Sequence, residues 1–324
     1  MLILNKDDMS KTITYTKVMD KIEDAYHIFQ SGNFYMPERP TIVHEENTLL
    51  YMPCFMPGCF GTKFLTLFPD NPSKGHPYID GLMLLNDYET GKTKAILDAG
   101  YLTALRTGAV GGVGIRNFSR PDCKSVGIIG TGPQGLYQAV YAASARDIQD
   151  IYLFDANSEN ANDCAKKLRK LTGENTLEVH ICTSVKQLVE NSEIVVTATP
   201  ATSPVVPDDA ELLQGKCFIA IGSYKPQMRE MPNAIWKLVD CVYTELPFAM
   251  EESGDLSQPL EQGYLRKEQV KYIGEWVMQK QKPFPAPGQT TYFKSVGMGL
   301  LDLNVAQLIY EEAGRMGLGQ KVEF

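Results

Sequence analysis

The sequence predicts an α/β chain with a doubly wound parallel sheet and a smaller α+β domain. Three observations predict it. A short apolar run, Ser125-Val126-Gly127-Ile128-Ile129, ends in the glycine turn Gly130-Thr131-Gly132-Pro133-Gln134-Gly135 and is followed by a helical pattern. From Ser125 onward, strand-like and helix-like stretches alternate, the signature of a parallel sheet covered on both faces. Before it, apolar segments come in pairs joined by turn signals, as antiparallel hairpins do.

The glycine turn carries a mechanism. Gly130 permits the tight exit from the strand, Gly132 leaves room for a pyrophosphate against the backbone, and Gly135 lets the helix pack close to the sheet. Pro133 stands in a first helical turn, where a missing N–H costs nothing. The positive helix end and its free N–H groups suit phosphates. A second apolar run, Ile151-Tyr152-Leu153-Phe154, ends in Asp155, where a carboxylate meets the ribose hydroxyls. These features predict a Rossmann-type dinucleotide domain. The acid favours NAD(H) over NADP(H), because it repels a 2′-phosphate and Ala156-Asn157-Ser158-Glu159-Asn160 supplies no Lys or Arg to bind one.

The bulk numbers set limits. A chain of 324 residues is long enough for two domains with a substantial core. A net charge of −8 argues against nucleic acid as a partner. No apolar run approaches the roughly 18 residues of a membrane span. The start, Met1-Leu2-Ile3-Leu4-Asn5-Lys6-Asp7-Asp8, is too short and acidic for a signal peptide. Seven cysteines without paired spacing predict reduced thiols in a cytoplasmic protein, and Cys54 and Cys59 lack the companions of a zinc site.

Taken in order, residues 14–30 predict an amphipathic helix, with Val18, Ile22, Ala25 and Phe29 on one face. Pro37 and Pro40 bracket Arg39 in a loop. Residues 41–44 and 48–52 predict a hairpin, 61–68 a strand, and 79–85 with 93–97 a second hairpin. Residues 98–116 predict a long helix capped by Asp98. Its small residues, including Gly108, Gly111, Gly112 and Gly114, imply close approach of either the cofactor or another helix. Further strands are expected at 126–129, 151–154, 179–182, 194–197, 218–221 and 241–244. The loops after the fourth and fifth of these strands hold Ala198-Thr199-Pro200 and Gly222-Ser223-Tyr224-Lys225-Pro226. Both belong at the sheet's carboxyl edge, beside a bound cofactor. A Pro-rich linker over 282–288 precedes Thr291-Tyr292-Phe293-Lys294-Ser295-Val296-Gly297, which leads into a final helix at 300–313. That helix comes too late to extend the nucleotide sheet and is expected to return to the first domain.

Candidate reactive groups are few. Of the histidines, His27 lies on a helix and His180 in a strand that reads as buried, so structural roles are expected; His76 sits in a loop. Lys63, inside a strand between apolar neighbours, is either an edge-strand charge or points into a cleft. Arg106, on the small-residue face of the long helix, either reaches a carboxylate or phosphate or is a solvated charge.

The chain resembles the ornithine cyclodeaminase/mu-crystallin family nearly end to end. The resemblance rests on Gly61-Thr62-Lys63, Phe68-Pro69-Asp70-Asn71-Pro72, Asp87-Tyr88-Glu89-Thr90-Gly91, Thr103-Ala104-Leu105-Arg106-Thr107-Gly108-Ala109, Gly130-Thr131-Gly132-Pro133-Gln134, Glu252-Ser253-Gly254-Asp255 and Phe293-Lys294-Ser295-Val296-Gly297. It implies that residues 1–115 and 298–324 form a substrate-binding and dimerisation domain, and 116–297 a Rossmann NAD domain. It also implies that Arg39, Lys63 and Arg106 hold the substrate's carboxylate region, with Lys63 the proton-transfer group and Arg106 beside it. Tyr224 and Val296 are then expected at the substrate, and Thr107, Gly130, Thr131, Gly132, Pro133, Gln134, Gly135, Asp155, Thr197, Thr199 and Ser295 at the cofactor.

Two departures bear on the reaction. Tyr224 stands where cyclodeaminases carry a catalytic Asp, and Leu50 stands before Tyr51-Met52-Pro53 where they carry a Glu. A phenol with a pKa of about 10 is no base at neutral pH. The resemblance therefore implies a homodimeric NADH-dependent imino acid reductase, Δ1-pyrroline-2-carboxylate to L-proline being the best guess. Ornithine cyclodeaminase, an alanine- or opine-type dehydrogenase and a mu-crystallin-like ligand-binding protein are the alternatives. No metal is expected.

Overall fold

The computed structural model describes residues 1–173 and 177–323. It forms two compact units, Met1–Arg106 with Met298–Phe324 and Thr107–Gly297. The sequence placed this boundary after residue 115; residues 174–176 and 324, within the expected spans, lie outside the described residues.

The first unit opens with β1 (Leu2–Leu4), α1 (Lys6–Thr12) and α2 (Tyr15–Ser31). In α2 the Thr14 side chain accepts from the Lys17 N–H at the start, and Gly32, at φ 70°, ends the helix in a left-handed turn. Val18, Met19, Ile22, Ala25 and Tyr26 form its buried stripe. The antiparallel run β2 (Thr41–His44), β3 (Asn47–Met56), β4 (Cys59–Leu67), β5 (Ile79–Asp87) and β6 (Thr93–Asp98) follows. In the β5–β6 turn, Asp87 accepts from both the Thr90 N–H and hydroxyl, and Gly91 takes the positive φ the turn requires. Helix α3 (Ala99–Phe118) begins where Asp98 accepts from the Tyr101 N–H.

The second unit alternates as expected: β7 (Ser125–Ile129), α4 (Pro133–Ala145), β8 (Asp150–Phe154), α5 (Ser158–Thr172), β9 (Glu178–Ile181), α6 (Val185–Glu190), β10 (Ile194–Thr197), α7 (Ala210–Leu213) and β11 (Cys217–Ala220). Then come β12 (Val242–Thr244), α8 (Ala249–Glu252), α9 (Gly254–Glu261), β13 (Val270–Tyr272), α10 (Ile273–Val277) and β14 (Thr291–Lys294). The sheet order is β13-β12-β14-β11-β10-β7-β8-β9, and every pair is parallel. The stretch 291–297, expected only to lead into the last helix, instead begins with a strand inserted between β11 and β12. Tyr292 and Phe293 are wholly buried there. The reading of His180 is also corrected: β9 is an edge strand, and His180 is exposed, its ring stacked on Tyr152 and its Nε2 2.7 Å from Asp150.

The open question of the small residues on α3 is settled in favour of packing. A Cβ on Gly108 would lie 2.8 Å from the Tyr137 Cβ, and one on Gly111 1.8 Å from the Gln138 Oε1; both partners are on α4. One on Gly114 would lie 2.6 Å from the Phe293 ring.

Helix α11 (Gly299–Met316) and β15 (Gln320–Lys321) belong to the first unit. There the sheet order is β15-β1-β6-β5-β4-β3-β2, and α11 packs on α2, β3 and β4. Residues Cys59, Gly61, Lys63, Leu65 and Leu67 of β4 alternate as the buried face. Among the described residues, no helix is long and apolar enough to cross a membrane.

Gly108→Ala is expected to destabilise the chain by about 1–3 kcal/mol through overpacking against Tyr137 and Tyr141, even though alanine favours helix by about 1 kcal/mol. Urea unfolding measures it; a gain in stability would mean that α3 and α4 are not in close contact.

Candidate active site

Lys63 is not an edge charge. It sits on β4, with β3 and β5 on either side, and its cross-strand neighbours are Met52 and Met83, both buried. Only 1% of its surface is exposed. A lone ammonium cannot be buried without a partner. The partner is Asp302 of α11, whose Oδ1 accepts from Lys63 Nζ at 2.6 Å. The same oxygen accepts from Arg106 Nε at 2.9 Å, so Arg106 is no solvated charge either. Asp302 is wholly buried, and its Oδ2 has no hydrogen-bond partner.

Two cations on one carboxylate leave a net positive charge in a dry place. Burial lowers the Lys63 pKa to about 7; Asp302 opposes the shift, while Arg106 and Arg39 add to it. Burial alone would raise the Asp302 carboxyl, but Arg106 and Lys63 outweigh it, and the net shift is downward. The Lys63 amine is thus held near neutrality beside an ionised carboxylate. Arg39 is half-buried, on the segment between α2 and β2.

The turn after β7 has the three glycine roles in space. Gly130 has φ 90°, and a Cβ there would lie 2.7 Å from the Ala198 carbonyl. A Cβ on Gly135 would lie 1.9 Å from the Gly130 carbonyl, so only glycine permits this helix–turn contact. A Cβ on Gly132 would meet nothing within 4 Å, which leaves the backbone open to an incoming phosphate. Gly132 is the N-cap of α4, Pro133 follows at its start, and the buried Gln134 Oε1 has no partner. These are the features a dinucleotide's phosphates require.

Asp155 stands at the end of β8. Its Oδ2 accepts from the Thr131 N–H at 2.8 Å and hydroxyl at 3.0 Å. Its Oδ1 accepts from the Asn157 N–H at 3.0 Å and the Asn160 amide at 3.2 Å. Burial pushes the carboxyl up, but these donors together hold it below its ordinary pKa.

Buried carboxylates that the sequence reading missed organise the loops at the sheet's carboxyl end. Glu230 Oε2 accepts from the Thr197 hydroxyl at 2.9 Å and the Gly222 N–H at 2.8 Å. Its Oε1 accepts from the Thr199 N–H at 2.7 Å and hydroxyl at 2.8 Å. One side chain therefore ties the loops after β10 and β11 together. Asp255 Oδ1 accepts from the Glu230 and Met231 N–H groups, and Lys294 Nζ lies 3.6 Å from its Oδ2. Glu245 does the same for the loop after β14, taking the Ser295 hydroxyl and the Val296 and Gly297 N–H groups, each at 2.8 Å. The hydroxyls of Thr197 and Ser295 thus point to carboxylates of the chain. Tyr224 is half-buried in the loop after β11, with Lys225 Nζ 5.7 Å from its ring centre. Thr107 is buried; its carbonyl accepts from Gln138 Nε2 and its hydroxyl has no partner. His76 lies in an exposed loop between β4 and β5 and takes no part in the Lys63 cluster. No group of three or more metal-ligating side chains occurs among the described residues.

A parallel sheet with this glycine turn, together with a buried lysine–aspartate–arginine cluster, defines a dinucleotide-dependent oxidoreductase class. The family model described as "Ornithine cyclodeaminase/mu-crystallin family" matches residues 1–316, and the chain belongs to that family. It is 31% identical over 332 residues to a Δ1-pyrroline-2-carboxylate reductase of Bacillus cereus, with 100% of both chains covered. The Thermococcus litoralis Δ1-pyrroline-2-carboxylate reductase, solved with NADH and L-proline, matches with a TM-score of 0.92 at 30% identity over 99% of this chain and 100% of that one. An archaeal alanine dehydrogenase dimer with bound NAD matches with a TM-score of 0.89 at 28% identity over 100% and 99%.

Asp302→Asn strands two buried cations, so a loss of about 3–5 kcal/mol is expected at mildly acidic pH, above the range in which the Asp302 carboxyl itself takes up a proton. The variant lowers the Lys63 pKa below its present value of about 7, so the folded state sheds a proton that the unfolded chain keeps. The deficit against the parent protein should therefore shrink as pH rises to about 7 and then level off. Denaturant unfolding across pH reads it; a deficit that grows with pH would contradict the assignment.

Proposed function

We propose that the chain is an NADH-dependent reductase of cyclic imino acids that converts Δ1-pyrroline-2-carboxylate to L-proline. The observation that carries this reading is Lys63, buried against Asp302 and Arg106 and titrating near neutrality. The full-length relatives act on, or bind, the corresponding molecules.

The turn after β7, with Gln134 and Asp155, holds the dinucleotide. When bound, NADH supplies a hydride to the imine carbon. The chain's own residues do the remaining work. Arg39 and Arg106 bind the substrate carboxylate and fix its orientation. The Lys63 ammonium donates its proton to the imine nitrogen, which makes the adjacent carbon electron-poor. Asp302 stays ionised and holds Lys63 in place for that transfer. The sum is imine, NADH and a proton giving amine and NAD. Tyr224 and Val296 line the substrate, and Thr107, Thr199 and Ser295 border the nicotinamide. Neither Leu50 nor Tyr224 offers the carboxylate a second amine would need, which separates this reading from cyclodeamination.

The active form is a homodimer in this reading. Ile42, Leu49, Tyr51, Phe64, Leu82 and Ile96 fall on one face of the first unit's sheet by their register, and none is fully buried. Leu82 is 48% exposed and Ile42 52%. Apolar side chains exposed together on one face call for a partner, and a second copy is the partner a dimeric relative suggests. Seven free cysteines accord with a reducing, cytoplasmic setting.

Loss of NADH absorbance on adding Δ1-pyrroline-2-carboxylate tests the function, beside NAD with ornithine and ammonia detection. Turnover of the imine without ammonia release supports the proposal; ammonia and proline from ornithine would replace it with cyclodeamination. Lys63→Met should cut turnover at least about 100-fold while NADH still binds. In the parent protein kcat/KM should fall as pH rises through about 7, where Lys63 loses its proton. Leu82→Arg should convert a dimer to monomer in light scattering; an unchanged mass would remove this face from the interface.

A further inference from the structure

Asp155 accepts four hydrogen bonds from the protein, two at each oxygen. A carboxylate has about four lone-pair sites. A ribose hydroxyl can therefore donate to Asp155 only if one of these donors yields. The four differ in their freedom to do so. The Thr131 N–H is fixed in the glycine turn, between Gly130 and Gly132. The Asn157 N–H is fixed at the start of α5, where the Asn157 side chain is itself engaged as N-cap, accepting from the Glu159 N–H. The Thr131 hydroxyl belongs to a residue that is only 5% exposed. Asn160 differs: it lies on the exposed first turn of α5, and its amide makes the longest of the four bonds, 3.2 Å.

We propose that the Asn160 amide is a placeholder for the ribose of the dinucleotide and a determinant of coenzyme affinity and selectivity. It occupies the acceptor site that the ribose hydroxyl takes, and swings away when NADH binds. This rests on the reading that the β7 turn and Asp155 hold NADH. Each binding event then exchanges one exposed hydrogen bond for another, so Asn160 weakens NADH while the fixed donors keep Asp155 anionic and repellent to a 2′-phosphate. Asn160 is thus a specificity residue that need never touch the substrate.

The test is equilibrium binding of NADH and of NADPH, followed by quenching of protein fluorescence without substrate. Asn160→Ala should bind NADH about 3- to 10-fold more tightly, the equivalent of one exposed hydrogen bond no longer broken. Its NADPH affinity should not improve, so the NADH-to-NADPH ratio rises; a merely structural role would leave that ratio unchanged. Weaker NADH binding by Asn160→Ala would overturn the proposal, because it would mean that the amide itself contacts the ribose. Unchanged affinity for both coenzymes would overturn it too. Asp155→Ala is the separate control. If NADH binding is indifferent to that change, the ribose site itself is misassigned; if it weakens while Asn160→Ala has no effect, only the placeholder role fails.

Discussion

A lysine buried under a sheet is the constraint on which the first unit depends. Lys63 carries its amine on the covered face of β4, between two methionines. No neighbour on its own hairpins supplies an anion. The counter-charge comes from 239 residues further along the chain, on α11. The chain must therefore come back after the nucleotide unit to complete the first one, and α11 does so by packing on α2, β3 and β4. Asp302 then serves two cations with one oxygen, which leaves the cluster net positive and Lys63 ready to release a proton. One contact bears on both stability and charge: the ion pair that makes burial tolerable also opposes the fall that burial imposes on the lysine's pKa.

The second unit uses buried carboxylates in a related way, to hold backbone rather than a cation. Loops at the carboxyl end of a parallel sheet lose their ladder partners and need other acceptors for their N–H groups. Glu230 and Glu245 provide them, one for the loops after β10 and β11 and the other for the loop after β14. Asp155 does so for the glycine turn. Each gathers backbone N–H groups at that edge, and that edge is where ligands of such sheets bind.

Local features of this fold were legible in the sequence. The turn from Gly130 to Gly135, the acid at Asp155, the hairpins and the helices all follow from spacing of apolar residues and from Gly, Pro and Asp at fixed offsets. Two kinds of feature were not. Strand order depends on tertiary packing, so nothing in Thr291-Tyr292-Phe293-Lys294 says that it slips between β11 and β12. His180 looked buried because its strand is apolar enough, while its place at the sheet edge is a matter of topology. Partners of buried charges were hidden for the same reason. Asp302 interrupts Leu300-Leu301 and Leu303, and an acid among buried leucines does signal a paired carboxylate; which cation it pairs with is information only the fold holds. The glycines of α3 posed a question that local reasoning left open, and the side chains of Tyr137, Gln138 and Phe293 answer it.

The central claim is that Lys63 titrates near neutrality because of where it is buried. It is tested most directly by nuclear magnetic resonance of protein labelled with ¹³C at lysine Cε, with the Lys63 signal assigned by its loss in Lys63→Met. A midpoint of about 7 is expected for that signal. A Lys63 midpoint at the ordinary value of about 10.4 would contradict it, since the amine would then remain charged throughout the neutral range.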